Sequence, residues 1–162
     1  MAEFTFRQPK PEEAEQIFQL VVRRVEWMGQ KGLRQWNCNG YLEAYPLEYY
    51  RQEIGRFWVA LREEAIAAAA AIFDQDDNWE PDKPAFYLHN LVSDPACPGA
   101  GGALLEFLEL LARQKGMAAL RLDSDESNWE LGQYYERRGF LPQGRCSDGP
   151  YYAGILREKA LQ

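Results

Sequence analysis

The stretch Ala85-Phe86-Tyr87-Leu88-His89-Asn90-Leu91-Val92, then Pro95-Ala96-Cys97-Pro98-Gly99-Ala100-Gly101-Gly102-Ala103, then Leu104-Leu105-Glu106-Phe107-Leu108, decides how the chain is read. Its first part is an apolar run of strand length. Its last part opens a helix in which Leu104, Leu105, Leu108, Leu111 and Ala112 share one face and which ends near Gly116. Between them, Gly99, Ala100, Gly101 and Gly102 carry little or no side chain, so the backbone can come close to a ligand. The first amides of a helix have no partner within it, and with the helix dipole they form an anion site whose usual occupant is a pyrophosphate. No Gly-Lys-Ser/Thr follows, which rules out a P-loop. The pattern Gly-x-Gly-x-x-Gly is incomplete and no βαβ unit precedes it, which rules out a dinucleotide fingerprint.

Working outward, Phe4–Arg7 alternates as a short strand, and Pro11–Gln30 is an amphipathic helix with Ala14, Ile17, Phe18, Val21, Val25 and Met28 on one face. An aromatic, irregular stretch with Trp36, Tyr41, Tyr45, Tyr49 and Tyr50 follows, and Pro46 opens a short helix through about Ile54. Phe57–Leu61 and Ile66–Phe73 are expected to form a hairpin about Glu63-Glu64, although Ala67–Ala71 has helical propensity. Asp74–Pro84 is an acidic loop and Ala85–Val92 a third strand. Met117–Leu122 is a strand, and Ser127-Asn128-Trp129-Glu130 fits a capping box with Ser127 as the cap of a helix running to Arg138, stopped by Gly139. Phe140–Cys146 and Tyr151–Arg157 are strands around a Ser-Asp-Gly-Pro turn. The expected order is βααβββαβαββ, an α/β fold with a mixed, mostly antiparallel sheet flanked by helices, in a single domain over 1–162.

The 162 residues suffice to bury about 68–70% of the unfolded surface without a disulfide or metal staple. Eighteen Lys and Arg against 25 Asp and Glu leave a net charge of −7, which argues against nucleic acid and against an anionic membrane as partners. The longest apolar stretch, Ala65–Phe73, is about half of a membrane span. Met1–Lys10 contains Glu3 and Arg7 and no long apolar core, so no secretory signal is read. Cys38, Cys97 and Cys146 are odd in number and without zinc-site spacing; free thiols in a reducing cytoplasm, and no metal, are expected.

The glycine segment resembles the central motif of the Gcn5-related N-acetyltransferases (GNAT superfamily), (Arg/Gln)-x-x-Gly-x-(Gly/Ala). Asn128, Leu131, Tyr134-Tyr135-Glu136 and Gly139-Phe140 resemble that family's second motif, Asn-x-x-Ala-x-x-(Leu/Phe)-Tyr-Glu-x-x-Gly-Phe. The element order is also the family's. The resemblance implies an acetyl-CoA-dependent N-acetyltransferase acting on a primary amine of a small molecule or peptide by direct attack. It implies a coenzyme cleft where the strand ending in Val92 splays from Met117–Leu122. Cofactor contacts would come from Leu91, Val92, Pro98, Gly99, Ala100, Gly101, Gly102, Ala103, Asn128 and Arg138. Tyr135 takes the general-acid position, a phenol of pKa about 10 facing a thiol leaving group of about 8.5. His89, the single histidine, is the expected base, acting through water; strand alternation puts it on one face with Tyr87 and Leu91. Trp36, Tyr41 and Tyr45 fall where the family's first helices cover the acceptor. Arg137 and Arg138 suit phosphate or adenine, and equally the negative end of their own helix.

The segment departs from the family motif at its head, where Ala96 or Cys97 replaces Arg or Gln, and Pro98 removes one donor. No Lys or Arg lies between Asp94 and Leu111. These departures favour the alternative reading, a non-catalytic acyl-CoA-binding or regulatory module of the same fold. A homodimer is compatible with either reading, and the sequence marks no interface.

Overall fold

Seven strands run in the order β1-β2-β3-β4-β5-β7-β6 in one mixed sheet with helices flanking it. They are β1 (Thr5–Arg7), β2 (Phe57–Arg62), β3 (Ala65–Phe73), β4 (Ala85–Ser93), β5 (Ala119–Asp125), β6 (Leu141–Asp148) and β7 (Tyr152–Ala160). The helices are α1 (Ala14–Gln30), α2 (Tyr41–Ala44), α3 (Leu47–Gln52), α4 (Ala100–Gln114) and α5 (Trp129–Arg137). The computed structural model describes residues 3–32, 40–150 and 152–161, and Trp36 and Cys38 lie outside them. The chain divides into two compact units, Met1–Ile72 with His89–Leu108, and Phe73–Leu88 with Glu109–Gln162.

In the first unit, Pro11–Glu13 form a 3-10 turn and α1 follows, burying Ala14, Ile17, Leu20, Val21 and Met28. The apolar spacing of three and four thus faces the core as expected. Phe18 packs on the wholly buried Tyr50, and Tyr50 on Phe57. β2 and β3 pair antiparallel from Phe57↔Ala71 to Arg62↔Ala65. That register leaves Glu63-Glu64 as a two-residue loop with φ of 52° and 70°. Positive φ at both positions is the conformation that matches strand twist, held here by glutamates rather than the usual Asn-Gly. Residues Ile66–Ala71 are all buried, so the alanine run is strand: burial of both faces overrides alanine's helical propensity.

Arg7 donates to both carboxylate oxygens of Glu13, at 2.7 and 3.0 Å, and the Lys10 amide donates to the same group at 2.7 Å. The Arg7 hydrogen bonds hold the Glu13 carboxyl at about 2, below its ordinary 4.5, against the opposing effect of partial burial. A folded value below the unfolded one means stabilisation that is complete above about 4.5 and lost as pH falls toward 2. The stability gap between wild type and Glu13→Gln, read from urea midpoints, is therefore expected to be largest near neutrality and to close through that window. A gap that stays constant with pH refutes the pair's role.

In the second unit, β5 pairs antiparallel with β7 from Ala119↔Ala160 to Asp125↔Gly154, and β7 with β6. β4 and β5 run parallel at Ala85↔Ala119, Phe86↔Leu120 and Tyr87↔Arg121. Arg121 is buried and fully engaged, by Asp82 (2.6 Å), Glu158 (2.7 Å), the Tyr87 hydroxyl (2.9 Å) and the Trp79 ring (4.5 Å). It pins the acidic loop to the sheet. α5 ends with Gly139 at φ +93°, the Phe140 amide on the Tyr135 carbonyl (2.9 Å) and the Gly139 amide on that of Glu136 (3.0 Å). This is the stop expected of a glycine just past a helix. The start of α5 differs from expectation. Asn128, not Ser127, is the cap: its Oδ1 accepts from the Leu131 amide at 3.1 Å. The Ser127 amide and hydroxyl both donate to Asp125 Oδ1, at 2.9 and 2.7 Å, which holds Ser127 in the turn ahead of the helix.

Candidate active site

The turn after β4 is built from its own backbone. The Asp94 amide donates to Ala67 O (2.8 Å), that of Cys97 to Asp94 O (2.9 Å) and that of Ala100 to Cys97 O (3.3 Å). Gly99 sits at φ +93°, a conformation that requires glycine. The helix begins at Ala100, four residues before the leucine face that marks it in the sequence. Its first intrahelical bond runs from the Ala103 amide to Gly99 O, at 3.0 Å. The Ala100 and Ala103 amides are therefore spent, and Pro98 has none. The α4 amides left without a helix carbonyl are those of Gly101 and Gly102. A Cβ at Gly101 would lie 3.5 Å from the Ser93 side chain, an ordinary contact.

Cations absent from the motif arrive from elsewhere in the same unit. Arg24 donates to the Ser93 carbonyl (3.1 and 2.8 Å) and hydroxyl (2.8 Å). Arg23 pairs with Asp94 at 3.4 Å, and Arg62 Nη1 reaches Cys97 Sγ at 3.6 Å. Sequence spacing could not reveal this, since α1 and β2 are remote in the chain.

β4 is not a regular strand. Asn90 has φ +57°. The expected alternation therefore breaks after His89; Ala85, Tyr87, Leu88 and Val92 are buried, and His89, Asn90 and Leu91 are half-buried. A left-handed residue shifts the pleat beyond it, so Leu91 cannot be assigned to the face of Tyr87 and His89 by counting. Asn90 Nδ2 donates to the Tyr41 hydroxyl (2.8 Å), and its Oδ1 accepts from the Tyr49 hydroxyl (2.7 Å). Tyr41, Tyr45 and Tyr49 pack in sequence, the first pair tilted and the second edge-on, with centroids 4.7 and 4.9 Å apart. Burial pushes the phenols of Tyr41 and Tyr49 well above their ordinary range, so both stay neutral. Asn90 and Tyr49 were not among the expected site residues. The available signal was an asparagine inside an apolar strand, a residue depleted from strands and tolerant of left-handed φ.

In the second unit, Tyr135 is buried, with Tyr134 and Phe140 edge-on to it at 5.6 and 5.8 Å. Burial, reinforced by Tyr134 and Asp123 and opposed by Arg157, raises its pKa far enough to keep the phenol protonated. Arg138 lies over the Tyr134 ring at 4.8 Å. Asn128, expected among the cofactor contacts, also caps α5 through its Oδ1. Gly154 leaves room for its neighbours: a Cβ there would lie 2.7 Å from the Tyr152 ring and 2.9 Å from Cys146 Sγ. Tyr152 folds across that space and donates to Asp123 at 2.6 Å. Gly132 likewise admits Arg157, whose Nη2 would stand 2.8 Å from a Cβ.

Among the described residues, no three His, Cys, Asp or Glu side chains gather as a metal site, and no helix is long and apolar enough to cross a membrane.

A left-handed glycine opening a helix behind a kinked strand, on this strand order, defines an acyltransferase-type fold. The acetyltransferase (GNAT) family model matches residues 22–140, and the chain belongs to that family. Among individual relatives it is 26% identical over 149 residues to an uncharacterised N-acetyltransferase, YesJ, of Bacillus subtilis (strain 168), with 85% of this chain and 82% of that one covered. A GNAT-family acetyltransferase of Listeria monocytogenes 4b F2365 superposes with TM-score 0.80 at 26% identity, over 99% of this chain and 96% of that one. The PaiA N-acetyltransferase of Thermoplasma acidophilum, solved in complex with coenzyme A, shares the fold at TM-score 0.72 and 20% identity, over 98% and 99%.

Proposed function

We propose that this acetyltransferase moves an acetyl group from acetyl-CoA to a primary amine of a small molecule or peptide by direct attack. The observation that carries the reading is the opening of α4, where Gly99 at φ +93° leaves the Gly101 and Gly102 amides without helical partners. Two such amides at the positive end of a 15-residue helix suit a diphosphate. The Thermoplasma relative, solved with coenzyme A, supports the same donor here. Arg62 and Arg23 are the cations at hand where the family's Arg or Gln is missing.

In the proposed reaction the Leu91 and Val92 amides serve the acetyl carbonyl and the pantetheine amides. The amine must first lose a proton, since an ammonium has no lone pair; His89 accepts it through water. The nitrogen lone pair then adds to the carbonyl carbon, whose oxygen gains charge and is held by an amide. The C–S bond breaks, the departing sulfur takes the Tyr135 proton, and the surplus proton of the new amide nitrogen returns through solvent to the phenolate. The resemblance assigns Tyr41 and Tyr45 to the acceptor wall, together with Trp36.

Calorimetry with acetyl-CoA, followed by free-thiol release in the presence of an amine panel, tests the reading. Binding with amine-dependent thiol release is expected. Binding without release supports the alternative, a non-catalytic acyl-CoA module, which Pro98 and the missing Arg or Gln favour. No binding overturns both.

A further inference from the structure

The left-handed residue in β4 is neither glycine nor unsupported. Asn90, at φ +57°, uses both ends of its amide, donating to Tyr41 on α2 at 2.8 Å and accepting from Tyr49 on α3 at 2.7 Å. The two anchors are joined through Tyr45, with ring spacings of 4.7 and 4.9 Å. Tyr49 meets Tyr50 edge-on at 5.2 Å, and Tyr50 is wholly buried against Phe57 and Phe18. The clamp is thus rooted in the core of its unit rather than in a loop surface. Asparagine tolerates left-handed φ at some cost, and such conformations persist where surrounding contacts over-determine them. A left-handed residue inside a strand interrupts the ladder and re-aims the backbone that follows. The backbone that follows is Leu91-Val92. Its far side is also tied down, since Arg24 grips the Ser93 carbonyl and hydroxyl. Leu91 and Val92 are therefore held between two side-chain anchors.

We infer that Asn90, gripped by Tyr41 and Tyr49, is a positioning residue that aims the Leu91 and Val92 amides at the acyl thioester. The inference rests on the proposed donor chemistry and adds to it the device that sets the geometry of those amides. Catalysis by oriented donors is steep in distance: a misplacement of about 1 Å can cost on the order of 100-fold. The tyrosine hydroxyls act through Asn90 and need not touch the donor.

The test compares amide spectra of the ¹⁵N-labelled chain with coenzyme A and with acetyl-CoA, which differ only in the acetyl group. In the wild type, Gly101 and Gly102 shift with either ligand, and Leu91 and Val92 shift further with acetyl-CoA alone. Asn90→Gly keeps positive φ accessible but removes the clamp. Tyr49→Phe removes a single hydrogen bond and leaves the backbone type unchanged. In both variants the acetyl-specific shift at Leu91 and Val92 is expected to collapse, with the Gly101 and Gly102 shifts retained. Thiol release with the amine panel should fall on the order of 10-fold or more. An acetyl-specific shift retained at full size in both variants overturns the inference, because a merely structural clamp would alter melting temperature without touching that difference. Absence of Gly101 and Gly102 shifts in the wild type defeats the donor reading itself, and the inference with it. The two failures are read at different residues and in different proteins.

Discussion

Gly101→Asp is expected to abolish coenzyme binding while leaving the fold intact. Gly101 lies in the first turn of α4, half-exposed, and a Cβ there meets only the Ser93 side chain, at 3.5 Å. The backbone is helical, so aspartate is not strained, and a carboxylate in the first helical turn is favoured by the dipole. The same carboxylate stands where the diphosphate is proposed to sit, and it replaces attraction by like-charge repulsion. Juxtaposed like charges cost several kcal/mol, on the order of 100-fold or more in dissociation constant. Calorimetry with acetyl-CoA and a thermal melt without ligand, run on the same variant, measure both halves of the expectation. Melting at the wild-type temperature with retained affinity would remove the α4 opening from the binding site. A ligand at 100 times its dissociation constant adds about 2.7 kcal/mol of stability, so the wild type should melt later with acetyl-CoA and the variant should not.

Tyr135→Phe carries the second large effect. The substitution keeps the ring that packs edge-on to Tyr134 and Phe140 and deletes only the hydroxyl. Stability and coenzyme affinity should therefore change little. Burial keeps this phenol protonated throughout the working range and makes it a weaker acid than a free phenol, so its proton moves only as the sulfur takes on charge. Loss of a positioned acid typically costs about 100-fold in turnover. Thiol release under saturating acetyl-CoA reads the change, and turnover equal to wild type would reduce Tyr135 to a packing residue. Phenylalanine also separates the hydroxyl's role from the ring's, which Tyr135→Ala could not do.

Much of this architecture is legible in one dimension because it is written in local physics. The three-and-four spacing of α1, the glycine stop after α5 and the strand lengths follow from periodicity and backbone freedom alone. Local rules misled in three places, each for its own reason. Alanine propensity at Ala67–Ala71 yields to burial on both faces of β3. Asn128 rather than Ser127 caps α5, because the Asp125 turn holds Ser127 one residue ahead of the helix. The α4 helix starts at Ala100 rather than at its leucines, since small residues add no periodic signal to a first turn.

The candidate site divides in the same way. Its glycine turn and its second motif are each contiguous in the chain, so the resemblance that implies their chemistry could be drawn from the sequence. The supports around them could not. Arg24 reaches Ser93 across 69 positions, and Tyr41 and Tyr49 reach Asn90 across 49 and 41. By itself the sequence determined the seven strands, the longer helices and the glycine turn ahead of α4, because periodicity and glycine are short-range properties. Only the tertiary structure decided which amides stay unspent, which cations surround them and what holds the kink in β4. Those are questions of which side chains meet in space.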